Sequence, residues 1–75
     1  MDIIVDTNIL ISALIKDGAT RELIVNSNYN LVLPELELKE IENHKYEILG
    51  KSGLLEEEFY NLLSNLLKYI KIIRT

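Results

Sequence analysis

The sequence predicts an α/β fold, a parallel β-sheet within a three-layer α/β/α arrangement. Short β-branched runs stand at the start, near the middle and at the end of its 75 residues, with segments of helical apolar spacing between them. The order strand, helices, strand, helices, strand calls for parallel strands joined by right-handed crossovers. In the doubly wound order these strands lie 3-2-1. Strand 1 is the centre of a complete sheet of that kind, and in this sequence one of its sides is left open.

Ile3, Ile4 and Val5 form the first strand, and Asp6 follows directly. Asp6 therefore falls at the carboxyl end of a strand, where open α/β sheets bind ligands. Thr7-Asn8 is suited to capping a helix from about Ile9 to Ile15, apolar enough nearly all round to be buried. Lys16-Asp17-Gly18 closes it, with Gly18 as the residue for a left-handed turn. Thr20 is expected to cap a second short helix, with Glu22 in its first turn and Leu23 and Ile24 on one face. After the turn cluster Asn26-Ser27-Asn28, a strand runs from Tyr29 or Asn30 to Leu33.

Pro34 suits the first turn of a helix, where its missing N–H costs nothing. That helix is expected from Glu35 to about Leu49, with Leu38, Ile41, Ile48 and Leu49 at helical spacing. Gly50 is expected to end it, and Gly50-Lys51-Ser52-Gly53 to form a tight connection. The last helix, from about Leu55 to Lys68, has Glu56, Glu57 and Glu58 at its positive end. Its Phe59, Leu62, Leu63, Leu66 and Leu67 repeat as a core-facing stripe. Tyr69 to Arg74 supplies the third strand.

Length limits the chain to a single domain, residues 1–75. The hydrophobic fraction of 48% is ample for a core, but a chain this short buries only about 60% of the surface it exposes when unfolded. It should therefore lean on a partner. An edge strand as apolar as Ile3–Val5 is a pairing site. Strand 1 is expected to pair with a second copy, giving a homo-oligomer, or with a carboxyl-terminal half absent from this sequence.

The sequence has no cysteine, which excludes a disulfide framework and a thiolate metal site. No apolar run approaches the length of about 18 residues that a membrane span requires, so a soluble, cytoplasmic protein is expected. The net charge of -4 speaks against general electrostatic attraction to nucleic acid. It leaves room for a metal-dependent nuclease, whose bound cations reverse the sign of an acidic pocket. No Gly-rich phosphate loop follows strand 1, which argues against a dinucleotide-binding fold.

Asp6 and one or more of Glu35, Glu37 and Glu40 fall on the same rim of a parallel sheet. Convergent carboxylates suit Mg²⁺ or Mn²⁺, hard ions that prefer carboxylate and water oxygens. Such an ion polarises a phosphoryl group and generates hydroxide from bound water, which makes phosphodiester hydrolysis the matching chemistry. The plainer reading of Glu35 and Glu37 is that they complement the helix macrodipole, and of Asp6 that it caps or turns the chain. His44 shares a helical face with Glu40, but a lone His is more often a solvated residue than a ligand. Lys39, Lys45 and Arg21 are scattered cations of the kind that mark a solvated face. Tyr29, Tyr46, Tyr60 and Tyr69 read as packing or boundary residues.

Ile4-Val5-Asp6-Thr7-Asn8-Ile9-Leu10 resembles the opening motif of PIN-domain nucleases, a family that includes VapC-type toxins. The resemblance continues through Ser12-Ala13-Leu14-Ile15, Thr20-Arg21-Glu22, Leu33-Pro34-Glu35 and Glu40-Ile41-Glu42-Asn43-His44-Lys45. It ends with Ser52-Gly53-Leu54 leading into Glu56-Glu57-Glu58-Phe59. It implies an endoribonuclease that uses Mg²⁺ or Mn²⁺ on an RNA substrate, with an antitoxin as the partner of a toxin-like member. Asp6 matches the family's first catalytic acid, a metal ligand. Glu40 matches the acid on the helix after strand 2, and is preferred to Glu37 on that ground. Thr7 and Asn8 match the polar pair that orders the first acid through hydrogen bonds. Ser12, one helical turn beyond Asn8, is expected to face the same pocket.

PIN domains have a five-stranded sandwich of about twice this length, and their remaining catalytic acids follow the third strand. The sequence is thus expected to supply the amino-terminal half of an incomplete PIN-like fold, with the first two acids and no activity alone. The competing expectation is a truncated, non-catalytic α/β module for interaction or dimerisation.

Overall fold

The computed structural model describes residues 2–15 and 18–74. Its elements are β1 (Asp2–Ile4), α1 (Thr7–Ile15), α2 (Gly18–Val25), β2 (Asn30–Pro34), α3 (Glu35–Asn43), α4 (Lys45–Ser52), α5 (Glu56–Leu67) and β3 (Ile70–Ile73). The sheet runs β1-β2-β3 with both pairings parallel, which is the expected 3-2-1 order with β1 at one edge. Ile3 lies opposite Leu31 and Leu31 opposite Ile70. The N–H of Val5 donates to the Val32 carbonyl at 2.8 Å, which carries the ladder one residue past β1.

Side chains alternate across a strand, and this sorts the sheet into two faces. Val5, Leu33 and Ile70 pack into the core with Leu10, Leu14, Ile24, Ile41, Ile48, Phe59, Leu63 and Leu66 from the helices. The other face carries Ile4, Val32 and Lys71 side by side, and Ile4 is 63% exposed. Both crossovers step the same way along the sheet, so right-handed connections bring all their helices to one face. α1 accordingly packs against α2 of its own crossover and against α3, α4 and α5 of the next. Of the three layers, the described residues build the sheet and one helical layer. As its composition implies, α1 buries Leu10, Ala13 and Leu14.

Several element ends differ from expectation. α1 begins at Thr7, because the cap is the Asp6 side chain, whose Oδ1 accepts the N–H of Ile9 at 2.9 Å. Lys16 and Asp17 lie outside the described residues. Gly18 opens α2 and makes no left-handed turn, since Gly53 is the one described residue with positive φ. Thr20 consequently lies inside α2 and does not cap it. Leu23 is 73% exposed while Ile24 is buried, so the two do not share a face.

The long helix expected from Glu35 to Leu49 divides at His44, whose backbone has φ -98 and ψ 9. Its N–H is shared between the carbonyls of Glu40 and Ile41, a tightened last turn. Asn and His are weak helix formers, which makes Asn43-His44 a ready place for the break. Ile41 and Ile48 are both buried across it. In α5, the Glu58 carboxylate accepts the N–H of Leu55 at 2.9 Å and fixes the helix start. Phe59, Leu63 and Leu66 of the expected stripe are buried.

Gly50 stays inside α4, and Gly53, at φ 75, closes it by donating its N–H to the Leu49 carbonyl at 3.0 Å. A Cβ added at either glycine meets nothing within 4 Å, so only the backbone decides. Gly50→Ala is expected to stabilise the protein by about 0.5–1 kcal/mol, through helix propensity. Gly53→Ala is expected to destabilise it by about 1 kcal/mol, because a side chain is strained at positive φ. Urea denaturation of the two variants reads the opposite signs.

Candidate active site

Asp6 follows the buried Val5 at the carboxyl end of β1 and is itself exposed. Because β1 and β2 are parallel, their carboxyl ends lie side by side, and α3 starts directly after β2. This brings Glu37, in the first turn of α3, to the start of α1. Its Oε2 accepts the backbone N–H of Thr7 at 3.1 Å and also accepts the Thr7 hydroxyl hydrogen. Two carboxylates thus serve the first turn of α1, Asp6 from its own segment and Glu37 from the second crossover.

Asp6, Asn8 and Ser12 line a cleft of about 1160 Å³ that opens beside β1. Its walls are mainly apolar, with Ile3, Ile9, Leu23 and Leu31 among them. Tyr29, 54% exposed, stands at its edge. The charged residues in the lining are Asp6 and Glu22, both acidic, which gives the cleft a negative rim.

Glu40 lies one turn beyond Glu37, on the same side of α3. Its Oε2 is 3.7 Å from Nε2 of His44, and the Nδ1 of His44 is 3.3 Å from Oε1 of Glu47. Lys51 Nζ lies 3.0 Å from Oε2 of Glu47, and that hydrogen bond holds the Glu47 carboxyl below the usual glutamate range, with a smaller contribution from His44. His44 and Lys51 also border a hollow of about 290 Å³ shared with Thr7 and Asn8. Glu40 thus stands beside His44, which borders that hollow, whereas Glu37 is bonded directly to Thr7.

Arg21 and Lys45 are engaged elsewhere. Arg21 Nε donates to the Ala13 carbonyl at 2.6 Å, and so satisfies a group near the carboxyl end of α1. Lys45 Nζ is 2.8 Å from the Glu56 carboxylate and donates to the Tyr60 hydroxyl at 3.4 Å. The bond to Glu56, then that to Tyr60, pushes its pKa well above the usual lysine value. The same ammonium lies 4.9 Å from the Tyr46 ring centre and 5.4 Å from that of Tyr60.

Among the described residues no group of three or more His, Cys, Asp or Glu side chains is placed to hold a metal ion. Asp6 with one acid of α3 gives the one or two carboxylates by which Mg²⁺ is commonly held, its other positions going to water and phosphate. The donor chemistry fits a hard divalent ion, and no side-chain cage surrounds it. No helix of the described residues is long and apolar enough to cross a membrane.

Glu37 is the residue that sequence reasoning set aside. The signal for it was the three-residue spacing to Glu40, which puts both acids on one face. The start of α3 at Pro34 then sets Glu37 nearer the sheet rim. In comparison with known proteins, residues 4–75 match the family described as PIN domain. No curated protein and no solved structure matches the chain.

Proposed function

Since the chain belongs to the PIN-domain family, we propose that it supplies Asp6 and Glu40 as metal ligands to a Mg²⁺- or Mn²⁺-dependent endoribonuclease. The family expected from the opening motif is the one matched, and its members are nucleases that act on RNA. Supporting the finer reading above all is the position of Asp6: exposed at the carboxyl end of β1, in a cleft with Asn8 and Ser12, with Glu37 of α3 bonded to its neighbour Thr7. Such an ion would polarise the phosphoryl group and activate water. The chain's own part is to place that ion and the substrate. Asp6 and Glu40 hold the ion, Thr7 and Asn8 order Asp6, and Ser12 borders the path of the RNA.

Among the described residues no third ligand joins these acids, so the site needs further donors from elsewhere, and the chain alone is expected to be inactive. A second copy or further chain paired along the open edge of β1 is the matching source. Cytoplasmic placement, a VapC-like character and restraint by an antitoxin complete the proposal.

The same lack of a third ligand favours a second reading, a non-catalytic module for interaction or dimerisation. Calorimetry of the chain with Mn²⁺ separates the two. Tight binding is expected if the site assembles, shared between copies where a single copy is incomplete. Absence of binding at any protein concentration leaves only the scaffold of the family.

A further inference from the structure

We infer that Glu37 is a positioning residue for Asp6: it fastens the start of α1 to α3 and so fixes where the Asp6 carboxylate stands. The inference rests on the nuclease reading above and adds a residue to it. Asp6 lies between two anchored neighbours. On one side, Val5 donates its N–H to Val32 of β2. On the other, Thr7 donates both its N–H and its hydroxyl to a single oxygen of Glu37, thirty residues away in the sequence.

The N–H of Thr7 is the first that α1 leaves without an internal partner, and Asp6 itself takes the N–H of Ile9. Both members of the Thr7–Glu37 link are half-buried, which shields it from competing water. A macrodipole role accounts for a glutamate in the first turn of α3. It does not account for a carboxylate that bonds the first turn of α1. The link needs an acceptor and no negative charge, because Thr7 only donates. A glutamine oxygen meets that need, and an alanine does not.

The test pairs amide hydrogen exchange on the chain with RNA-cleavage kinetics in Mn²⁺ on the assembled nuclease, its missing donors supplied. In Glu37→Ala, the amides of Thr7 and Ile9 are expected to lose protection while that of Phe59 keeps it. Its kcat is expected to fall about 10–100-fold at unchanged KM, the usual loss on removing a group that orients a metal ligand. Glu37→Gln should rescue both the Thr7 amide and most of the lost kcat. Thr7→Val should match Glu37→Ala, and the double variant should be no worse than either single one.

Glu37→Gln as inactive as Glu37→Ala, with the Thr7 amide still protected, would overturn the inference and make Glu37 a ligand itself. Unchanged Thr7 and Ile9 protection in Glu37→Ala would overturn it as well. Should the wild-type protein cleave no RNA even when the missing donors are supplied, the nuclease reading falls, and the Ile9 amide, bonded to Asp6, decides on its own whether Glu37 positions that carboxylate.

Discussion

Asp6→Asn is expected to abolish metal-dependent RNA cleavage by the nuclease with its site complete, with kcat down by about a thousandfold or more, in a protein that remains folded. A bound divalent ion contributes several kcal/mol of transition-state stabilisation, and each 1.36 kcal/mol is tenfold in rate. Losing the charged ligand that holds the ion forfeits most of that. The fold should survive because Asn caps helices about as well as Asp, and its side-chain oxygen keeps the bond to the Ile9 N–H. The lost charge at the amino end of α1 costs about 0.3–1 kcal/mol at an exposed site. Cleavage of a labelled RNA in Mn²⁺, beside a thermal melt, reads both effects, and an unchanged rate would remove Asp6 from the site.

The largest loss of stability is expected from Phe59→Ala. Phe59 is the bulkiest of the fully buried side chains, packed in the cluster that joins Val5, Leu33 and Ile70 of the sheet to Leu10 and Leu14 of α1. Its ring also meets Tyr60 edge to face, 5.1 Å between centres. Truncating a buried Phe costs about 3–5 kcal/mol, from lost transfer energy and the cavity left behind. Native stability of roughly 0.05–0.15 kcal/mol per residue gives a chain of 75 residues about 4–11 kcal/mol in all. The variant should therefore lie near its unfolding midpoint or beyond it, with a sharply lowered urea midpoint. A loss below about 1 kcal/mol, the size of an ordinary surface effect, would contradict this packing.

The parts legible in the sequence are those where one local signal decides. The stripe on α5 has a single period, and it buries Phe59, Leu63 and Leu66. The parallel order followed from alternation and handedness alone, and β1-β2-β3 is that order. The end of β1 was visible because Asp6 breaks an apolar run. Less legible were places where two residues carry the same signal. Asp, Thr and Asn all cap helices well, so Asp6-Thr7-Asn8 offered three starts for α1, and Asp6 is the one used. Gly50 and Gly53 both suit a helix end, and the left-handed one is Gly53.

The break at His44 left no trace in the apolar spacing, because Leu38, Ile41, Ile48 and Leu49 also fit one continuous helix. It takes a change in one residue's dihedrals. Glu37 and Glu40 share a face of α3, and which of them reaches Thr7 depends on how α3 lies against α1. That is a tertiary quantity, absent from any pattern along the chain. The family resemblance favoured Glu40, and the geometry gives Glu37 a separate task beside Asp6.

The three residues of β1 hold the candidate metal-ligating acid at an edge of the sheet. β1 is bonded to β2 alone, while Phe59, Leu10 and Leu33 lie at the centre of the core. Opening a short margin strand costs less free energy than unfolding the whole domain. If Asp6 serves as proposed, the site is expected to be lost by fraying of residues 2–4 before the core melts. Inactivation on warming should run ahead of denaturation, and whatever docks along β1 would act as a thermal safeguard for catalysis as much as a source of missing ligands.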